Sequence, residues 1–219
     1  MDGNYEIVLG MNTEIMEPSY AAELMARQEA LQSEAEAVLE DLDLFATLSP
    51  LGELQQVGSS VTGLMVWRDI DCNIVSPHLN IRDAFEVVGQ IATHARVSKV
   101  RYMNESGEFN PTGERRDERY FFILAYTPVR GEEWKIDISF WLSDVPRSEM
   151  EDLENMRKQL TAKSRLAILW IKDVWHRLPA YRTQVCSMDI YDAVLRHNVE
   201  TPSGFDRYLA EQGKPTRQS

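Results

Sequence analysis

The sequence predicts an α+β chain, on three observations. A long amphipathic stretch opens it, short alternating apolar runs fill its middle, and helical spacing returns after Pro146. With 219 residues, 43% of them apolar, the chain can bury an ordinary core.

From about Pro18 to Leu44, the residues Leu24, Met25, Leu31, Val38, Leu39 and Leu42 recur near helical spacing among Glu and Gln, so a long helix or a broken pair is expected. Ser49, Pro50 and Gly52 end it. Strand-like runs follow at Leu54 to Val57, Ile70 to Val75, Val97 to Met103, Arg119 to Tyr126 and Trp134 to Leu142, with one helix at about Ile81 to His94 among them. The Pro- and Gly-containing turn from Thr127 to Glu133 makes the last two runs an antiparallel hairpin. Asn104 to Asp117, with Gly107, Pro111 and Gly113 among charges, reads as an exposed loop.

Beyond Pro146 the chain reads as helical. Ser148 and Glu151 have capping-box spacing, and Leu153, Met156 and Leu160 begin an apolar stripe. Ala167, Ile168, Ile171, Val174, Trp175 and Leu178 continue that stripe after a break near Thr161, and Pro179 stops it. Ser187 to Asn198 forms another helix and Ser203 to Gln212 a last short one, while Gly213 to Ser219 is expected to be disordered. This divides the chain into 1–145 and a C-terminal helical domain, 146–219.

A formal charge of −12 argues against a wide nucleic-acid footprint, because affinity for a phosphate backbone comes largely from Lys and Arg displacing counterions. No nucleic-acid partner is expected, and a polymerase role is disfavoured. The opening residues lack the basic start and long apolar run of a secretory signal, and no window approaches the roughly 18 apolar residues of a membrane span. A cytoplasmic protein with no membrane partner follows. Cys72 and Cys186 have no zinc-binding spacing and are read as packed thiols. His78, His94, His176 and His197 share no ligand spacing, which makes them surface or capping groups, and Trp170 and Trp175 read as core.

The informative stretch is Val57-Gly58-Ser59, followed after a gap by Asp69-Ile70-Asp71-Cys72-Asn73-Ile74. In a strand, alternation puts Asp69, Asp71 and Asn73 on one face and Ile70, Cys72 and Ile74 on the other. Two carboxylates projecting together call for a cation, a basic partner or open water. Magnesium suits them, since it takes carboxylate oxygens together with substrate phosphates. Gly58 permits close approach of backbone to ligand, and Ser59 adds a hydroxyl beside backbone N–H groups, chemistry suited to a phosphate. Neither a GxxxxGK[ST] loop nor a GxGxxG fingerprint is present, so kinase-type and Rossmann readings lose their main support.

This arrangement resembles the signature of the DNA polymerase beta-like nucleotidyltransferases: an apolar residue before Gly-Ser, then an Asp-apolar-Asp-apolar strand. That family also draws a third carboxylate from a later strand, which Asp137 in Trp134-Lys135-Ile136-Asp137-Ile138 supplies. The resemblance covers about Leu54 to Leu142, and the helical region beyond it looks like the bundle of aminoglycoside- and lincosamide-type enzymes. It implies a small mixed nucleotidyltransferase sheet with flanking helices plus a C-terminal helical bundle. It also implies transfer of a nucleoside monophosphate from a nucleoside triphosphate, in the first instance ATP, to a hydroxyl of a small molecule. Gly58 and Ser59 would bind the phosphates, Asp69 and Asp71 would hold Mg2+, and Asp137 would complete a second metal site or act as base. A protein-modifying, antitoxin-type enzyme and an inactive nucleotide-binding module are the alternatives. Trp67-Arg68 stands where many members have a short polar turn.

Blander readings exist for the same residues. Gly58 can end a strand and Ser59 can cap a turn; Asp69 can pair with Arg68 or Arg82, and Asp137 with Lys135, as surface ion pairs of little energy. Lys163, Arg165 and Lys172 can reach a triphosphate, but read first as a solvated face.

Overall fold

The structure, a computed structural model, describes residues 14–145 and 155–218. Helix α1 (Pro18–Asp41) starts on a proline, whose missing N–H costs nothing in a first turn, and buries Leu24, Gln28, Leu31, Ala35, Val38 and Leu39 at helical spacing. Asp43 takes a left-handed φ of 45° and breaks the helix, which resumes as α2 (Leu44–Leu48). The broken-pair form of the expected helix is the one observed.

Strand β1 (Glu53–Val57), the single turn α3 (Ser59–Thr62), β2 (Asp69–Val75), α4 (Ile81–Ala92), β3 (Val97–Glu105), β4 (Arg119–Tyr126) and β5 (Trp134–Trp141) follow. They form one five-stranded sheet in the order β1-β2-β5-β4-β3. Only β2 and β5 run parallel; the other pairs are antiparallel, and β4 with β5 is the expected hairpin. The fold is α+β with a mixed sheet. The expected loop over 104–117 contains two short 3₁₀ turns, Gly107–Phe109 and Arg115–Asp117.

Alternation sorts the sheet into two faces. Ile70, Cys72 and Ile74 of β2, Ile136, Ile138 and Phe140 of β5, and Phe122 and Leu124 of β4 are buried in one core with residues of α1, α2 and α4. Each large side chain so buried contributes about 1.5–3 kcal/mol, and together they fix the register that sends Asp69, Asp71 and Asp137 to the opposite face.

Residues 155–159 are helical. Then come α5 (Ala162–Trp175), α6 (Ser187–His197) and α7 (Pro202–Glu211). Thr161, the expected break, is the N-cap of α5 and forms a capping box with Ser164. Ile168, Ile171, Trp175, Ile190, Val194, Phe205 and Leu209 make a second core, joined by Leu64 from the segment before β2. Ser148, Glu151 and Leu153 lie outside the described residues.

Two expectations are corrected here. The tail is tied down rather than loose through Gln218: Lys214 Nζ lies 2.6 Å from Asp189 and Arg217 Nε 2.6 Å from Asp206, so carboxylates of α6 and α7 hold it. Cys72 is a packed thiol, raised to about 12 by burial, whereas Cys186 is exposed because it caps the start of α6 at the surface. No helix among the described residues is long and apolar enough to cross a membrane.

Candidate functional site

The parallel register of β2 with β5 sets Asp69 beside Lys135 and Asp71 beside Asp137. One ligand oxygen from each of Asp69, Asp71 and Asp137 lies within 4.8 Å of the others. Gly58 closes one side: it follows the residue paired with Asp71, has a φ of 77°, and a Cβ built on it would strike Asp71 Oδ2. Both the conformation and the space demand glycine there. Ser59, buried, opens α3, whose far end is pinned by Arg165 of α5, donating to the Thr62 and Gly63 carbonyls at 2.9 and 2.7 Å. Gln32 of α1 donates to the Ser60 carbonyl. The five residues singled out from sequence therefore adjoin one another.

Two cations answer the carboxylates. Lys135 Nζ lies 2.6 Å from Asp137 Oδ2 and 3.2 Å from Asp69 Oδ1. The bland pairing of Asp137 with Lys135 is thus real, and it coexists with the cluster. Among the described residues Asp69 pairs with Lys135 and Arg182 rather than with Arg68, which takes Glu34 and Glu132, or with Arg82.

No protein-family model and no curated protein matches the sequence. Solved structures match the fold. A mutant of the Cid1 poly(U) polymerase bound to MgATP aligns at 16% identity with a TM-score of 0.56, over 83% of this chain and 56% of that one. Cid1 in complex with its short product ApU aligns at 17% and 0.57, over 82% and 53%. A cytoplasmic RNA terminal U-transferase aligns at 17% and 0.52, over 82% and 55%. The chain has the DNA polymerase beta-like nucleotidyltransferase fold. It spans about half the length of the structures it matches. The likeness is to RNA-acting members and lends no particular support to the aminoglycoside- or lincosamide-type expectation.

Within this nucleotidyltransferase fold the electrostatics favour a hard divalent cation. Burial, and then the charges of Asp69 and Asp137, push the Asp71 carboxyl up to about 7. Burial also raises Asp137, against the pull of Lys135. For Lys135 burial acts downward, but Asp69 and Asp137 outweigh it and the amine is raised. Asp137 Oδ1 is buried with no hydrogen-bond partner, an arrangement that costs about 1–3 kcal/mol when nothing compensates it. Three carboxylates, one of them with an orphaned oxygen, form a donor set of the kind magnesium takes.

Sequence reasoning missed three residues. Lys172, read as part of a solvated face, is fully buried on α5. Its Nζ donates to the Leu64 carbonyl at 2.7 Å and to Tyr191 Oη at 3.3 Å and lies 4.8 Å from the centre of the Trp67 ring. Burial lowers its amine to about 7, against the upward pull of Asp69 and Asp71. Trp67 donates from Nε1 to Asp69 Oδ2 at 3.0 Å and stacks on His176, the C-cap of α5, at 5.5 Å. Arg182 is the third. The available signal was the five-residue apolar run Ala167 to Ile171, which leaves α5 no polar side. A cavity of about 570 Å³ between α1, α3 and α5 is lined by Gln28, Gln32, Thr62 and Arg165 and excludes the carboxylates, so here chemistry rather than size locates the site.

Proposed function

We propose that this chain is a metal-dependent nucleotidyltransferase that moves a nucleoside monophosphate from a nucleoside triphosphate, ATP in the first instance, to a hydroxyl of a small molecule. The observation that carries the reading is the convergence of Asp69, Asp71 and Asp137 beside Gly58. In this reading Gly58 and Ser59 receive the phosphates, the three aspartates hold Mg2+, and Lys172 adds positive charge from the helical side. When bound, the ion neutralises charge on the transferring phosphoryl group. The acceptor oxygen forms its bond to the α-phosphorus as the bond to the bridging oxygen breaks, and pyrophosphate leaves with that electron pair. Asp137, raised by burial, suits the base that takes the acceptor's proton. Residues 1–145 would form the catalytic domain and 146–219 a helical domain over it, in a cytoplasmic protein.

The carboxylate set favours an enzyme over an inactive module, and the added helices favour a small-molecule enzyme over the antitoxin type. Transfer to an RNA end is the second reading, favoured by what the matched structures act on and opposed by the charge of −12. Incubation with each labelled triphosphate, Mg2+ and a library of hydroxyl compounds and short RNAs tests all of these. Pyrophosphate release with label on a small acceptor supports the proposal, label on RNA replaces the acceptor class, and no release with any combination sinks it.

A further inference from the structure

Trp67 stands where the sequence departs from the family pattern, and Arg182 lies on top of it. Arg182 sits in the turn between α5 and α6 with a φ of 69°, a left-handed conformation that a residue with a Cβ adopts only when its surroundings impose it. Both flanks are fixed. Tyr181 is buried and bonds Ser187 at 2.7 Å, Val185 is buried, and the Arg182 amide donates to the Val185 carbonyl at 2.7 Å. Between them the Arg182 side chain turns outward, half exposed, with its guanidinium carbon 4.9 Å from the Trp67 ring centre.

Its present anion is Asp69, at 3.6 Å from Nη2 to Oδ2. That is a long, half-exposed ion pair of the sort that contributes little and exchanges readily. The Trp67 stack is better secured, since that ring is held by Asp69, His176 and the edge of Tyr181 at 5.4 Å. A guanidinium stacked on an aromatic face keeps its N–H edge free, and that planar fork matches phosphate oxygens.

We propose that Arg182, shelved on Trp67, is a polyphosphate-binding residue whose guanidinium rests on Asp69 in the free protein and passes to the polyphosphate of a bound nucleotide. This rests on the nucleotide-binding reading above. It has a signature that a merely structural arginine lacks. Removing the guanidinium takes a partner from the polyphosphate but removes a competitor for Asp69, so affinity for the polyphosphate falls while affinity for the metal does not.

The test compares the wild-type chain with Arg182→Ala, Arg182→Lys and Arg182→Gly, the last of which accepts the left-handed φ if the alanine variant folds poorly. Binding of Mn2+ alone is read by electron paramagnetic resonance, and binding of pyrophosphate in excess Mg2+ by calorimetry. Arg182→Ala should bind pyrophosphate about tenfold more weakly, as expected for one charge-assisted contact, and Mn2+ as tightly as wild type or tighter, with Arg182→Lys between. Unchanged pyrophosphate affinity, or equal weakening of both ligands, overturns the proposal. Should the wild-type chain itself bind neither pyrophosphate nor any triphosphate, the nucleotide reading fails and takes this one with it.

Discussion

Asp71 is half-buried and flanked by Asp69 and Asp137, and both the desolvation and the neighbouring charges penalise its own charge. Asp71→Asn keeps the shape and removes the charge. It should leave the metal-free protein as stable as wild type or more so in thermal denaturation, while nucleotidyl transfer falls by orders of magnitude, because the metal supplies several kcal/mol of transition-state stabilisation. A variant that is active but poorly folded would mark Asp71 as a structural ion-pair partner. The pH dependence has a definite sign. The folded carboxyl is raised from 3.8 to about 7, so the protonated form is favoured in the folded state. Its contribution is complete below the ordinary value and is lost as pH rises through about 7. Metal-free wild type should therefore lose stability relative to Asp71→Asn between about pH 4 and 7. Lys172, lowered to about 7, acts oppositely and loses its contribution as pH falls; Asp71→Asn removes one of the two charges that hold its amine up, so the variant loses more at acid pH and the difference between the proteins keeps its sign. Over the same window divalent-ion affinity should rise, because the ion must displace a proton; a flat affinity profile would contradict the raised pKa.

The single turn α3 has no stability of its own and depends on what grips it. Arg165 reaches from α5 to two of its C-terminal carbonyls. Arg165→Ala should lower stability by about 1–3 kcal/mol, the cost of unpaired carbonyls, and should raise the KM for nucleotide more than it lowers kcat. An unchanged KM would show that Gly58 and Ser59 do not depend on this grip. Strands are legible in the sequence wherever one face packs and the other does not: the alternation in Asp69 to Val75 and Trp134 to Trp141 is enough to put the carboxylates on one side of the sheet. Helix α5 is misread for the converse reason. Ala167 to Asp173 are all buried, so its charged residues have no common exposed side, and Lys172 faces a buried carbonyl and two aromatic rings instead of water. Trp67 and Arg182 are illegible because a stack between a loop and a turn 115 positions apart leaves no local period.

Across the molecule the carboxylates sit where the sheet meets the helical region: Lys172 bonds the segment before β2, and Arg182 reaches Asp69 from beyond α5. An overall charge of −12 makes a bound triphosphate depend on local cations and on a divalent ion, so binding should be all but absent without the metal. Calorimetric titration of each nucleoside triphosphate into the full chain, with millimolar Mg2+ and again with a chelator, examines that dependence without requiring the acceptor. The structure predicts saturable binding of at least one triphosphate to wild type, lost with the chelator and in Asp71→Asn. Binding that survives both treatments, or no binding of any triphosphate, would contradict the site built from Gly58, Ser59, Asp69, Asp71 and Asp137.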